Sequence, residues 1–235
     1  MAETQKTTVS LMCTLAIQGA VAGTLAAAFQ RSTGIGLNAV YDPTALLLGR
    51  LKAGQKADVI VAVRDTIDTL AKDGVVTSAS RKPVVLSGLG VAVAPGSKHP
   101  DISTPEAFRQ ALLAARSLAY SKSGASGQYV AAMLATMGIA DQVNAKATVV
   151  PGGFTAETLF DGRADLAVQQ MSELKAVEHA EIVGPFPPGL QSTTQFAAAI
   201  FTDSREPKAA QILIDFLASP AAAPAYRAFG LEVAG

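Results

Sequence analysis

Four turns between a predicted strand and a predicted helix carry small polar residues and glycine, and binding chemistry is expected there. They are Thr14-Leu15-Ala16, Asp42-Pro43-Thr44, Ser123-Gly124-Ala125-Ser126-Gly127 and Pro151-Gly152-Gly153-Phe154-Thr155. A helix N-terminus exposes unpaired backbone N–H groups at the positive end of its dipole, so each turn could seat an anion. Taken singly, each turn is better explained as an ordinary helix cap. The turns at 123–127 and 151–155 hold more glycine than a cap requires, so they indicate anion binding more strongly than the other two turns.

A pair of amides, Gln169-Gln170, ends a predicted apolar strand. In open parallel sheets, ligands bind at the carboxyl ends of the strands, and side-chain amides can hydrogen-bond to carboxylate or hydroxyl oxygens. One amide that faces solvent at the end of a strand explains the doublet equally well. Ligand contact by Gln169 and Gln170 is therefore one of two open interpretations.

Catalytic, metal and cofactor motifs are missing from the sequence. Cys13 is the one cysteine and lies in an apolar run, which favours a small buried side chain over a nucleophile. The two histidines, His99 and His179, lie in polar segments, and no group of histidines and carboxylates has the spacing of metal ligands. Neither a nucleophile elbow nor a glycine-rich nucleotide motif is present. We therefore expect no cofactor and no metal.

Composition indicates a folded protein without a nucleic-acid partner. Hydrophobic residues make up 49% of the 235 residues, and nineteen basic residues balance nineteen acidic ones, so nothing attracts the chain to phosphate backbones. The uncharged stretch 7–30 could suggest a signal peptide or a membrane span, but its polar residues and glycines favour a strand, a turn and a helix. An export signal is expected to have preceded Met1 and to have been removed.

Strand and helix patterns alternate along the chain, which predicts an α/β fold with a mixed, mostly parallel sheet and helices on both faces. Apolar runs predict strands at 8–15, 36–41, 58–63, 84–94, 117–120, 147–150, 166–169 and 196–201. Periodic patterns and caps predict helices at 17–30, 44–51, 64–72, 104–116, 127–137, 155–160, 207–217 and 220–229. The proline-rich segment 184–189 is predicted to be a connector.

Several segments together resemble the molybdate-binding proteins of ABC importers, a type II family of periplasmic solute-binding proteins. The resemblance covers nearly the whole chain, and its most specific part is the C-terminal run 204–220. The matching segments are Ala53-Gly54-Gln55-Lys56-Ala57-Asp58, Ser126-Gly127-Gln128-Tyr129, Gly162-Arg163-Ala164-Asp165 and Ser204-Arg205-Glu206-Pro207. The Pro-Gly-Gly turn and the run after Gln169 look more like a divergent branch that includes the aconitate isomerases.

The resemblance implies two lobes that close on a ligand, with a cleft between them. Residues 1–84 and 196–235 would form lobe 1, residues 85–195 would form lobe 2, and two segments near 83–90 and 193–198 would cross between them. The family's binding positions fall on Thr14, on Pro43 or Thr44, on Ser126 and near Gly152 or Gly153, and its binding tyrosine falls at Gln170. Together with the glycine-rich turns and the amide doublet, this gives a predicted ligand-binding set of Thr14, Thr44, Ser123, Ser126, Gly127, Gly152, Gly153, Gln169 and Gln170.

Three functions are compatible with such a site. The first is capture of a small anion, either a molybdate-like oxyanion or a small organic acid, by a periplasmic monomer that delivers it to an ABC permease. The second is isomerisation of a tricarboxylic acid such as aconitate, with Asp42, Lys122 or Tyr41 as the titrating group. The third is an effector-sensing domain of a transcription regulator, and we expect no full-length regulator because no helix-turn-helix pattern precedes Thr8. Because amides replace the family's tyrosine, a di- or tricarboxylate is expected to bind better than molybdate.

Overall fold

The computed structural model describes residues 7–234, and the chain forms two compact units. The first unit holds the described residues up to Leu86 and those from Gln195 onward, and the second holds Ser87–Thr194. Two strands, β4 (Lys82–Val93) and β9 (Thr193–Ile200), begin in one unit and end in the other.

The first unit begins with three strands that alternate with helices. Its other elements are β1 (Thr8–Thr14), α1 (Gln18–Ala20), α2 (Ala26–Thr33), β2 (Gly36–Asp42), α3 (Thr44–Lys52), β3 (Val59–Val63), α4 (Arg64–Lys72), α9 (Pro207–Leu217), α10 (Ala223–Ala228) and β10 (Glu232–Val233). Short 3₁₀ turns at 15–17, 78–80 and 220–222 and a π turn at 21–25 join or extend these helices. The helical segment after β1 therefore runs without a break from residue 15 to 33.

Parallel pairing brings the first three strands together in the first unit. β1 pairs with β2 on one side and with β3 on the other, both in parallel register. β9 then pairs antiparallel with β3, and β4 pairs antiparallel with the short β10. The continuous apolar sequence of β3 is typical of a strand covered on both faces, and Val59–Ala62 are buried.

Two apolar clusters cover the two faces of this sheet. In one, Leu11 and Cys13 of β1 pack with residues of α9 and α10, such as Leu213 and Tyr226. In the other, Met12 of β1 packs with residues of α3 and α4. Because side chains alternate along a strand, consecutive residues of β1 serve opposite clusters. Thr14 follows these residues at the end of β1, directly before the helical segment 15–33.

The second unit repeats the alternation of strands and helices on a smaller scale. Its other elements are α5 (Pro105–Ala114), β5 (Leu118–Ser121), α6 (Ala125–Thr136), α7 (Ala140–Asn144), β6 (Thr148–Val150), β7 (Leu166–Gln170), α8 (Met171–Lys175) and β8 (Glu181–Pro185), with a 3₁₀ turn at 155–159. β5 pairs in parallel with β6 and with β7, whereas β4 pairs antiparallel with β7 and β8. Thr104 caps α5, and its hydroxyl accepts from Ala107 N at 3.1 Å.

The structure contains short elements that the sequence patterns do not reveal. α7 and α8 span five residues each, too few for a periodic apolar pattern. The prediction that 184–189 is only a connector is wrong at its start, because β8 extends to Pro185. A proline is tolerated there because it lies at the end of the strand. The predicted helix at 155–160 is a 3₁₀ turn.

Candidate functional site

In the first unit, the carboxyl ends of the three parallel strands bring predicted site residues together. Thr14 at the end of β1 lies opposite Asp42 at the end of β2, and β3 ends next to them at Val63. The Thr44 hydroxyl accepts from Val63 N at 3.3 Å, which fixes the start of α3 to the end of β3. Thr14 is 3% exposed, and its hydroxyl accepts only a long hydrogen bond, 3.4 Å, from Ala16 N. Both threonines keep a hydroxyl proton that can be donated to a ligand.

The negative charge of Asp42, the acidic residue beside these threonines, is neutralised by a basic residue of the same unit. Asp42 forms a salt bridge with Arg50 Nε, and Arg50 also donates to Gln55 at 3.3 Å. Tyr41 lies opposite Cys13 in the β1–β2 register, and burial, with a smaller contribution from the Cys13 thiol, raises the pKa of its phenol far above the ordinary value. Tyr41 is therefore a protonated group that could donate a proton, whereas the carboxylate of Asp42 is held by a cation.

In the second unit, two turns at the carboxyl ends of β5 and β6 are joined directly. Lys122 N donates to Val150 O at 2.8 Å, and the Ser123 hydroxyl donates to Pro151 O at 2.6 Å. The side chain of Lys122 is exposed and makes no ion pair with residues 7–234. An unpaired cation at the end of a parallel strand favours the approach of an anion.

Glycine is required at two positions of these turns for different reasons. A Cβ on Gly127 would lie 1.6 Å from Ser121 O, so the backbone of α6 approaches β5 more closely than a side chain permits. Gly153 has φ 80°, the left-handed region that favours glycine, and no atom lies close to its missing Cβ. Ser126, directly before Gly127, is 3% exposed, and Gly152 is half-buried next to Gly153.

The side-chain amide of Gln169, the first of the doublet, forms hydrogen bonds within the protein. Gln169 Oε1 accepts from Thr155 N at 2.8 Å and from the Thr155 hydroxyl at 3.1 Å. Gln169 Nε2 donates to Gly153 O at 3.0 Å. These contacts use one hydrogen and both lone pairs of the amide. Gln169 thus holds the turn at 153–155 against the end of β7.

The second amide is different, because one of its atoms has no partner. Gln170 is 2% exposed, and its Nε2 donates to the Thr194 hydroxyl at 2.9 Å. Gln170 Oε1 is buried and makes no hydrogen bond, and no other buried side-chain nitrogen or oxygen in the described part of the chain lacks a partner. A buried acceptor without a partner costs about 1–3 kcal/mol, so Gln170 is a candidate for contact with a ligand.

Three residues of this neighbourhood were not predicted from the sequence: Thr155 as an anchor, Thr194 and Glu173. Glu173 is 7% exposed, and burial raises the pKa of its carboxyl to about 8. The spacing of Gln170 and Glu173, N-cap and third helical residue, is that of a capping box and was the available signal.

Two further findings bear on what the site can hold. Within residues 7–234, no group of three His, Cys, Asp or Glu side chains is arranged to hold a metal ion. No described helix is both long enough and apolar enough to cross a membrane. The groups gathered at the strand ends are hydroxyls, amides, backbone N–H groups and one lysine, which suit a small oxygen-rich ligand.

Comparisons with known proteins agree on one family and one fold. The model of the family described as bacterial extracellular solute-binding protein matches residues 9–232. A Pseudomonas protein described as aconitate isomerase is 36% identical over 228 residues, which cover 93% of this chain and 87% of that protein.

Solved structures extend the likeness at lower identity. The periplasmic molybdate-binding protein of Azotobacter vinelandii is 18% identical with a TM-score of 0.78, over 97% of this chain and 100% of that one. The sulfate-binding protein SubI of Mycobacterium tuberculosis is 19% identical with a TM-score of 0.73, over 96% of this chain and 86% of its own. At such identities the likeness establishes the fold and leaves the ligand open.

Proposed function

This chain belongs to the family of bacterial extracellular solute-binding proteins, and we propose that it binds a small polycarboxylic acid of the aconitate type. Its fold is the α/β fold of the periplasmic binding proteins. In such a protein the ligand is held by hydrogen-bond donors at the carboxyl ends of strands and the starts of helices. The proposed donors are the predicted set in each unit, with Gln170 as the residue that recognises a carboxyl group.

The unpartnered atom of Gln170 is the observation that carries the proposal. The Thr194 hydroxyl can donate as well as accept, so it is compatible with either orientation of the amide. Gln170 can therefore offer a ligand an acceptor in one orientation and an N–H donor in the other. In the donor orientation the amide N–H binds an ionised carboxylate oxygen, and the 36% identical aconitate isomerase favours a polycarboxylate over molybdate or sulfate as the ligand.

The charges at the strand ends also favour a carboxylate ligand. Lys122 is an unpaired cation beside Ser123, and Asp42 is neutralised by Arg50. The remaining donors are neutral hydroxyl and backbone N–H groups, which bind ionised oxygens more strongly than neutral ones. Gln169 is assigned a supporting role in this proposal, since its amide is hydrogen-bonded to Thr155 and Gly153.

Isomerisation is the second candidate, and the 36% identical aconitate isomerase favours it. A 1,3-proton shift removes a proton from one carbon and returns one to another, so at least one titrating group must reach the substrate. The candidates from the sequence are Asp42, Lys122 and Tyr41. The raised pKa keeps Tyr41 protonated, so it suits a hydrogen-bond donor to a carboxylate or an acid that returns a proton to a carbanion, and it does not suit a base. The base is then sought in Asp42 or Lys122.

If the protein binds the acid without isomerising it, its proposed role is transport. The protein would then act as a periplasmic monomer, freed of its export signal, and pass the bound acid to an ABC permease. Both roles require the same binding site, so ligand identity is tested first and turnover second.

The binding experiment compares trans-aconitate, cis-aconitate, citrate, molybdate and sulfate by thermal shift and by calorimetric titration. A ligand at a hundred times its Kd adds about 2.7 kcal/mol of stability, which is visible as a melting shift. Gln170→Ala should weaken carboxylate binding by roughly 1–3 kcal/mol, or about 5- to 150-fold in Kd. Gln128→Ala, which removes an exposed amide from α6, is the matched control and should change nothing. Tighter binding of molybdate or sulfate that survives Gln170→Ala would contradict the proposal.

The turnover experiment follows conversion of cis-aconitate into trans-aconitate by proton NMR. Run in deuterated water, it also detects exchange of the transferred proton with solvent. If the chain is an isomerase, Asp42→Asn or Lys122→Met should abolish turnover while the protein stays folded. Tight binding without turnover in the unaltered protein would reject isomerisation and leave the transport role.

A further inference from the structure

A groove on the first unit is lined by three basic side chains, and none of the predicted ligand-binding residues belongs to its lining. The three cations are Arg64 at the start of α4, Arg81 directly before β4 and Lys82 at the start of β4. The groove has a volume of about 380 Å³, which is within the range of small-molecule sites. Its size and its charge together make it a candidate site for an anion.

The basic side chains of the groove are only partly neutralised by carboxylates. Asp68 accepts from Arg81 Nη1 at 2.5 Å, and the same carboxylate lies 3.8 Å from Arg64 Nε. Lys82 pairs with Asp215 at 2.8 Å. Two carboxylates thus face three cations, and Arg64 has the longest of these pairings. One positive charge is therefore left for an anion from solution.

Three side-chain nitrogen atoms of the lining are free to donate to such an anion. Arg64 Nη1 donates to Gln195 Oε1 at 2.8 Å, and Arg81 Nε donates to Ser78 O at 3.2 Å. Within residues 7–234, no hydrogen bond is made by Nη2 of either arginine or by Gln195 Nε2. A guanidinium binds a carboxylate or phosphate through two parallel N–H groups, and the existing contacts already hold both arginines in place. The donors are thus partly pre-organised for an oxyanion.

The groove also offers apolar surface to a ligand. Ile67 and Ala197 belong to the lining, and both are otherwise buried in the apolar cluster on this face of the sheet. Pro83 adds a third apolar side chain. A hydrocarbon chain gains free energy by covering such surface, whereas a bare inorganic ion does not. The lining therefore favours an organic anion.

We propose that this groove is a second binding site, which takes a small organic anion that carries a carboxylate or phosphate group. Arg64 and Arg81 bind the anionic oxygens, Gln195 donates one more hydrogen bond, and the hydrocarbon part lies against Ile67 and Ala197. The bound anion connects α4 with the starts of β4 and β9 inside the first unit. The proposal does not depend on the carboxylate site proposed above.

The test follows titrations with succinate, propyl phosphate and inorganic phosphate by two-dimensional NMR of backbone amides and arginine Nε–H groups, at constant ionic strength. The signals of Arg64, Arg81 and Gln195 should shift together along one binding curve. Succinate and propyl phosphate present the two anionic groups, and the tighter of them identifies the group that the site prefers. If inorganic phosphate binds as tightly as propyl phosphate, the assignment to an organic anion is wrong.

Substitutions in the groove should change the affinity in opposite directions. Arg64→Gln and Arg81→Gln should each weaken binding roughly tenfold, because each removes a charge-assisted hydrogen bond. Asp68→Asn removes the carboxylate that competes for both arginines and should tighten binding several-fold. Arg31→Gln, which removes an exposed cation from α2, is the matched control and should leave the Kd unchanged. The substituted side chains are largely exposed, so the variants should fold, and melting curves check this.

Three outcomes would overturn the proposal. An equal loss of affinity in Arg31→Gln would mean that the anion responds only to the general surface charge. Unchanged or weaker binding in Asp68→Asn would mean that the anion does not bind at the two arginines. Loss of the NMR shifts in Gln170→Ala, with none in Arg64→Gln, would place the anion at the carboxylate site proposed above. If no polycarboxylate binds near Gln170 yet the signals of Arg64 and Arg81 respond as expected, the proposed function fails and the groove site stands.

Discussion

Asp58 and Ser204 lie 146 residues apart in the sequence, and the Ser204 hydroxyl donates to Asp58 Oδ1 at 2.8 Å. The same oxygen accepts from Arg205 N and Glu206 N, directly before α9. The other carboxylate oxygen accepts from the backbone N–H and the hydroxyl of Ser10 in β1. One carboxylate therefore connects the start of β3 with β1 and with the entry to the C-terminal helices of the same unit.

Replacement of Asp58 by alanine should destabilise the first unit strongly. Asp58 is 6% exposed, and its removal leaves the donors of Ser10, Ser204, Arg205 and Glu206 without this acceptor. We expect a loss of roughly 2–4 kcal/mol in the free energy of unfolding, measured from denaturant midpoints. Asp203→Ala is the control, since Asp203 is half exposed and pairs only with Lys56, and it should cost less than about 1 kcal/mol. Equal losses in the two variants would show that the hydrogen bonds of Asp58 stabilise the fold no more than an exposed ion pair does.

The same carboxylate should make stability depend on acid. Burial alone would raise the pKa of Asp58, but the hydrogen bonds from Ser10, Ser204 and Glu206 outweigh it and lower the pKa below the ordinary value of 3.8. Its contribution is therefore present above pH 3.8 and is lost as pH falls through the lowered pKa of the folded state. The stability difference between the unaltered protein and Asp58→Ala should shrink below pH 3.8 in acid-unfolding experiments. A difference that stays constant down to pH 2 would contradict this assignment.

The close approach of Gly127 to Ser121 O gives a second stability prediction. An added methyl group at Gly127 would collide with a backbone oxygen, which cannot rotate away as a side chain can. Gly127→Ala should therefore displace the start of α6 and cost roughly 1–3 kcal/mol by chemical denaturation. Gly49→Ala is the matched control, because Gly49 is an exposed helical glycine with no atom near its missing Cβ. That variant should gain about 0.5–1 kcal/mol through helix propensity, and a loss there would show that the comparison is not matched.

Much of the fold and the family could be inferred from the sequence, because both depend on patterns that extend over many residues. The alternation of apolar strands with periodic helices predicted the α/β class, and the motif match to a solute-binding family is confirmed by the family model over 9–232. The segments that carried the match have structural roles. Asp58 joins β3 to β1 and α9, and Asp165 accepts from Arg116 N and Ser117 N at the start of β5. These aspartates mark recognisable motifs because several backbone N–H groups donate hydrogen bonds to each carboxylate.

The candidate site was less predictable, since it depends on which way individual side chains turn. Gln169 and Gln170 are chemically identical neighbours, yet only Gln170 keeps a buried atom without a partner. The partner of Gln170, Thr194, lies 24 residues away, and no local pattern links the two. Glu173 was not singled out from the sequence, because the packing that buries it is a tertiary property. The role of Thr14, Thr44, Ser126 and Gly153 in one ligand site stays a prediction.

Cys13 provides a final prediction and a probe for the others. It is the only cysteine of the chain, is 0% exposed, and burial raises the pKa of its thiol far above the ordinary value. A thiol that is shielded and protonated should not react with a disulfide reagent in the native protein, whereas one equivalent should react in denaturant. The slow reaction under native conditions then reports the opening of β1, directly before Thr14. If trans-aconitate binds the folded state, it should slow this labelling in proportion to the stability that it adds, and it should do so much less in Gln170→Ala. Rapid labelling of the native protein would mean that Cys13 is accessible and would reopen the possibility of a reactive thiol beside the site.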